Sequence, residues 1–140
     1  MSRPPLTAGE IQALLDASPF IAFMQVKVLS VDAEARAVTM TMPLRPEFER
    51  RAGTGQFHGG PIAALIDTVG DYALSIALGG GVPTINFRTD YLRPAIDTAL
   101  TATAKVRRAG RTVGVVDVDV VDDAGRLLAV GRGTYAMQVG

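Results

Sequence analysis

The sequence predicts an α+β fold, a curved antiparallel sheet wrapped around one long buried helix, on three observations. Residues 61–78 run without a breaker except Gly70 and are apolar nearly all round, which is the composition of a buried helix. Two segments before that helix and four after it read as strands. The links between neighbouring strands are of hairpin length, which implies antiparallel pairing, and one sheet has to cover the helix.

The first element is a short amphipathic helix over residues 7–18. Thr7 can cap it, Glu10 stands three residues on in capping-box spacing, and Ile11, Leu14 and Leu15 form the apolar stripe. Ser18-Pro19 ends it. A strand is expected over 23–31 and a return strand over 37–43, where Val38, Met40 and Met42 alternate with Thr39 and Thr41 at period 2. Residues 44–57 are polar and carry glycine, with no period, and loops of that length are usually functional.

After the long helix, strands are expected over 84–92, 98–107, 112–121 and 127–137. They are separated by the turn signals of residues 93–97, Ala109-Gly110 and residues 122–125. Val116, Val118 and Val120 alternate with Asp117 and Asp119. In the last strand Ala129, Gly131 and Gly133 share a face, and small residues there let a helix backbone approach closely. One domain over residues 1–140 is expected, with the N-terminal helix at about 7–18 and the core at about 23–138.

Composition narrows the function. Fourteen basic and fourteen acidic residues cancel, so no global field holds a polyanion and nucleic acid is not an expected partner. There is no cysteine, which removes disulfides, thiolate metal sites and a cysteine nucleophile and suits a reducing compartment. The N-terminal residues have no apolar core of signal-peptide length. No uninterrupted apolar stretch reaches the roughly 18 residues of a membrane helix. A cytoplasmic protein without membrane partners is the expectation.

The informative segment is residues 56–67, Gln-Phe-His-Gly-Gly-Pro-Ile-Ala-Ala-Leu-Ile-Asp. Proline suits a first helical turn, so Gly59 and Gly60 fall at the mouth of the helix with unpaired N–H groups and the positive end of the dipole behind them. Such a mouth can stabilise an oxyanion; it is equally a plain glycine-rich helix start. Asp67 lies about two turns further in, and Asp71 shares its face at i+4. A desolvated carboxylate there has a raised pKa and is a better base, while the bland reading makes the pair the one wet stripe of the helix.

His-Gly-Gly at 58–60, Asp67 nine residues after His58, Gly70, Tyr91-Leu-Arg-Pro94, Gly110-Arg111 and the segment 131–134 resemble, in order, the signature of hotdog-fold acyl-CoA thioesterases of the PaaI-like (phenylacetate-degradation) group. The resemblance covers about residues 26–137. It implies hydrolysis of an acyl-CoA, with Gly59 as oxyanion-hole amide, His58 bracing the loop, and Asp67 activating water or attacking the thioester. Thr84 matches a Ser/Thr position that orients water in some members. The group forms dimers or tetramers whose sites join Gly59 of one chain to Asp67 of its neighbour, and it uses no metal. One departure stands out: many members carry Asn or Gln six residues before the histidine, where this chain has Ala52. Gln56 or Thr54 can substitute from the same loop.

No Gly-x-Ser-x-Gly elbow accompanies His58, no ligand spacing suggests a metal, and residues 53–58 lack the third glycine of a dinucleotide fingerprint. Arginines gather in the second half of the chain. Arg107, Arg108 and Arg111 are candidates for the phosphates of coenzyme A, or ordinary turn charge. Gly60, Gln56 and Asp71 complete the candidate substrate contacts, and no cofactor is expected beyond the coenzyme A of the substrate. Two other functions fit the same fold: an acyl-thioester hydratase or dehydratase using His58 as base, and a non-catalytic acyl-CoA binder.

Overall fold

Thr7 begins the first helix as its sequence demands. In the computed structural model, which describes residues 3–140, α1 runs Ala8–Ala17. Met1 and Ser2, at the start of the expected 1–140 domain, lie outside the described residues. The Thr7 hydroxyl accepts from the Glu10 amide at 3.2 Å, and the Glu10 carboxylate accepts from the Thr7 amide at 2.8 Å. The capping box is complete. Ile11 and Leu15 are buried, but Leu14, expected in the same stripe, is 36% exposed. Ile11 and Leu15 lie one above the other at i, i+4, whereas Leu14 is rotated toward the rim.

The expected strand over 23–31 is corrected. Pro19–Met24 forms a second short helix, α2, and β1 is confined to Lys27–Asp32. Pro19, read as a stop, also opens a helix, because its ring pre-sets the first helical turn. Gln25 in the left-handed region, φ 58°, ends it. β2 runs Ala37–Met42 with Val38, Met40 and Met42 buried, as its alternation predicts.

Residues 44–57 are a loop with one 3₁₀ turn, Pro46–Phe48. It is anchored by Phe48 and Phe57, both buried and stacked with ring centroids 6.3 Å apart. Helix α3 then runs Gly59–Leu78, two residues longer at its start than expected, so both glycines lie inside its first turn. By length and composition α3 could cross a membrane, but more than half of it is buried in the protein, the setting of a core helix. Leu65, Ile66 and Val69 are enclosed, whereas Ala63, Ala64, Asp67, Thr68 and Asp71 form a half-exposed strip. The helix is therefore not buried all round, and both carboxylates lie along its partly buried strip.

The remaining strands are β3 (Thr84–Tyr91), β4 (Leu100–Ala109), β5 (Val113–Val121) and β6 (Leu127–Ala136). All pair antiparallel in the order β1-β2-β4-β5-β6-β3, one sheet curved around α3. The last strand meets the helix through small residues as expected: a Cβ at Gly131 would stand 2.5 Å from Ile66 Cγ2. Tyr135, fully buried, fills the notch left by Gly70 and Gly133, and its hydroxyl donates to the Asp67 carbonyl at 2.9 Å. A Cβ at Gly70 would overlap that hydroxyl. Gly70→Ala is expected to cost about 1–3 kcal/mol, because an enclosed ring cannot swing aside. A urea midpoint equal to the parent's would show that Tyr135 has room to move.

The two sheet edges differ. On β1 the Gln12 side chain acts as a short extra strand, accepting from Val28 N at 2.8 Å and donating to Val26 O at 3.1 Å. The β3 edge is bare, with Ile85 58% and Phe87 37% exposed. An uncovered edge strand with apolar side chains is a pairing surface.

Candidate active site

His58 caps α3 from an extended conformation, and its Nδ1 accepts from Gly60 N at 3.3 Å. Pro61 has no N–H to offer. Gly59 N–H finds no acceptor among the described residues, so it is a free donor at the start of the helix. Its peptide is held from the other side as well. Tyr91, from the end of β3, donates its hydroxyl to Gly59 O at 2.8 Å, and its ring lies so close that a Cβ at 59 would be 3.1 Å from the hydroxyl. In the sequence Tyr91 stands out only as a motif residue, and nothing local signals this bond across 32 residues.

Gly59, Gln56, Arg50, Tyr91 and Arg93 border an open cleft of about 330 Å³. Gln56 lines it beside Gly59, whereas Thr54 donates its hydroxyl to Arg51 O at 2.6 Å within the loop. Of the two substitutes for the amide absent at Ala52, Gln56 is the one at the cleft.

Two turns along α3, Asp67 is half-buried on the open strip, and Thr84 Oγ1 donates to its Oδ1 at 2.7 Å. The structure thus joins two candidates that lie 17 residues apart. Beneath them, Tyr135 holds the Asp67 backbone; sequence reasoning missed it, although Gly133 two residues earlier on the same face marks space for a bulky neighbour.

Asp71 points elsewhere. Its Oδ1 accepts from Ser75 Oγ at 3.0 Å and from Val82 N at 2.9 Å. Burial pushes its carboxyl up to about 6, against the pull of those two hydrogen bonds.

The three arginines sit on the β4–β5 hairpin. The strand register puts Gly114 opposite Tyr135 and Tyr135 opposite Thr84, so the hairpin lies at the Thr84 end of the sheet. Arg107 pairs with Asp117 at 3.4 Å on the outer face, where Arg132 also grips Asp117 at 2.6 Å and holds that carboxyl below its usual value. Arg108 and Arg111 are exposed and have no carboxylate partner among the described residues.

This arrangement has known counterparts. The Thioesterase superfamily pattern matches residues 54–129, more than half of the chain. The chain belongs to the thioesterase superfamily. A candidate esterase of Halobacterium salinarum is 36% identical over 139 residues, covering 91% of this chain and 90% of its own. The acyl-coenzyme A thioesterase PaaI of Escherichia coli is 34% identical over 113 residues, 77% of this chain and 74% of its own. A crystal structure of a thioesterase-superfamily protein superposes with a TM-score of 0.88 at 28% identity, covering 94% of this chain and 98% of the other. The PaaI-like resemblance read from the motifs is borne out, and so is the hotdog fold, one helix enclosed by six antiparallel strands.

Proposed function

We propose that this thioesterase-superfamily protein hydrolyses a small or medium acyl-CoA, aryl or short aliphatic, to the free acid and coenzyme A. The observation that carries the reading is Asp67, with Thr84 on its Oδ1 at 2.7 Å, on the open strip of the helix whose Gly59 N–H is free. Asp67 takes a proton from water as the water attacks the thioester carbonyl, or attacks that carbonyl itself and is released by water. Gly59 N–H receives the charge that gathers on the carbonyl oxygen; removing one such donor costs about 3–4 kcal/mol in the transition state. The C–S bond then breaks, and the coenzyme A sulfur leaves as thiolate or takes up the proton. Thr84 orients Asp67 and the attacking water.

His58 braces the mouth of the helix, and Gly60 and Gln56 line the substrate's path. Arg108 and Arg111, free of carboxylates, suit the phosphates of coenzyme A better than Arg107, which already has Asp117. No metal or resident cofactor enters the scheme, and the chain's lack of cysteine suits work in the cytoplasm.

The working unit in this scheme is a homodimer or a dimer of dimers. Eight residues of helix separate Gly59 from Asp67 by about 12 Å, too far for one thioester carbon to meet both. The bare β3 edge supports pairing around a two-fold axis, which would bring Gly59 of one protomer toward Asp67 of its partner. His58 is less suited to act as a base, since its Nδ1 already caps Gly60.

A panel of acyl-CoAs, followed by free-thiol release, tests the reading. Thiol release on at least one member is expected. Tight binding without turnover would make the protein an acyl-CoA binder, and conversion of an enoyl-CoA without thiol release would make it a hydratase.

A further inference from the structure

We infer that Asp71 is a positioning residue for the hydrolytic site, holding the turn between α3 and β3 so that Thr84 meets Asp67. The inference rests on the proposal that Asp67 and Thr84 carry the hydrolysis. Two carboxylates one helical turn apart grip the chain as it returns: Asp71 takes Val82 N at 2.9 Å, and Asp67 takes Thr84 Oγ1 at 2.7 Å. The spacings agree. Four residues of helix advance about 6 Å, and two residues of extended chain about 6.6 Å, so the rungs stay in step. Ser75 donates to the same Asp71 oxygen at 3.0 Å and fixes the carboxylate's direction.

Thr84 is also held from the sheet, where it pairs opposite Tyr135, and by the buried Val82 side chain two residues before it. The turn opens with Gly79, Gly80 and Gly81, with Gly79 in the left-handed region at φ 90°. Glycines carry no side chain to anchor a turn and have the most freedom to lose. Backbone bonds from Gly140 N to Gly81 O and from Ala136 N to Pro83 O tie the turn to the C-terminal segment, away from α3. Across the sheet, the β3–β6 register slips between Thr84 and Asn86. At such a bulge the ladder does not by itself aim the side chain. The Asp71 carboxylate supplies the hold on the helix side.

The titratable groups around Asp71 are Asp67 and Tyr72 on α3 and Tyr135 from β6; the turn contributes none. With its carboxyl pushed up to about 6, Asp71 is charged above that pH and binds Val82 and Ser75 through charge-assisted bonds. As pH falls through about 6 the carboxyl is protonated, the grip on Val82 weakens and Thr84 loosens. The expected signature is a fall in kcat on the acid side of pH 6, with KM nearly constant.

The test measures kcat and KM for thioester hydrolysis from pH 5 to 9 in the full-length parent, Asp71→Ala, Asp71→Asn, Thr84→Ala and the Asp71→Ala/Thr84→Ala double variant. Asp71→Ala is expected to lower kcat by about tenfold, on the order of one lost hydrogen bond. Asp71→Asn keeps an oxygen for Val82, so it should recover most of that loss at pH 8 and lack the inflection near pH 6. The double variant should be no slower than Thr84→Ala alone, because Asp71 acts through Thr84.

Costs that add in full, with Thr84→Ala itself damaging, would sink the positioning role and leave the proposed chemistry standing. Should Thr84→Ala leave kcat untouched, the role given to Thr84 in hydrolysis fails, and the positioning role with it. If Asp71→Ala does not fold, the Asp71→Asn profile decides: an inflection near pH 6 that survives in that variant, or activity at pH 8 as low as in Asp67→Asn, overturns the inference.

Discussion

Asp67→Asn is expected to lower kcat by about 10²–10⁴ with little change in thermal midpoint, the effect of removing a base or nucleophile while keeping its shape. Asparagine fits the same space, and its side-chain oxygen still accepts from Thr84, so the 2.7 Å contact survives. The Tyr135 hydroxyl binds the backbone carbonyl of residue 67 and is indifferent to the side chain. What disappears is the charge that accepts a proton or attacks the thioester. The comparison with Asp71→Asn sharpens the result, since Asp71 is on the same half-exposed strip one turn away. Asp71 is committed to Ser75 and Val82, and its asparagine variant should remain far more active. The assignment of the carboxylates would be reversed if Asp67→Asn kept most of the parent's kcat and Asp71→Asn lost it.

The second large effect is restoration of activity by mixing two dead proteins. Gly59→Pro removes an N–H at the start of α3 that takes no acceptor among the described residues. His58 is already extended at φ −67°, ψ 151°, a conformation that accepts a following proline. The new ring would meet Tyr91, whose side chain is exposed and has room to withdraw. Loss of the donor is expected to cost about 10²–10³ in kcat. In an assembly that shares its sites, a mixed dimer of Gly59→Pro and Asp67→Asn chains contains one site with both defects and one with neither. Under subunit exchange, activity should climb from near zero toward about a quarter of the parent's, since about half of randomly paired dimers are mixed and each has one intact site of two. An active monomer in gel filtration, or proven heterodimers with no recovered turnover, would rule out the shared site.

How much of this was legible in the chain can be followed residue by residue. The Thr7–Glu10 capping box, the alternation of Val38, Met40 and Met42, and the small face of Gly131 and Gly133 were read correctly. So was the meeting of α3 with a sheet that encloses it. Pro19 both stops α1 and starts α2, and the sequence pattern shows only the stop. The apolar composition of α3 likewise overstates its burial, since residues 63, 64, 67, 68 and 71 are only partly covered. Leu14 failed for a related reason, because the width of an apolar stripe depends on what it packs against.

The sequence alone determined the features whose hydrogen bonds and periodicity close within a few residues: caps, turns and strand alternation; of the two amides expected to be unpaired at the helix mouth, that of Gly60 is taken by His58. The sequence also placed Asp67 and Thr84 on the elements that bring them together. Only the tertiary structure decided which partners each polar group takes. Asp71 turned toward Val82, Arg107 toward Asp117, and Tyr135 settled beneath Asp67 from 68 residues away. Those choices depend on strand order and register, and a shift of one residue in register turns a side chain to the opposite face of the sheet. The same step left β3 bare at one edge while Gln12 covered the other, because an edge exists only once all six strands have been ordered.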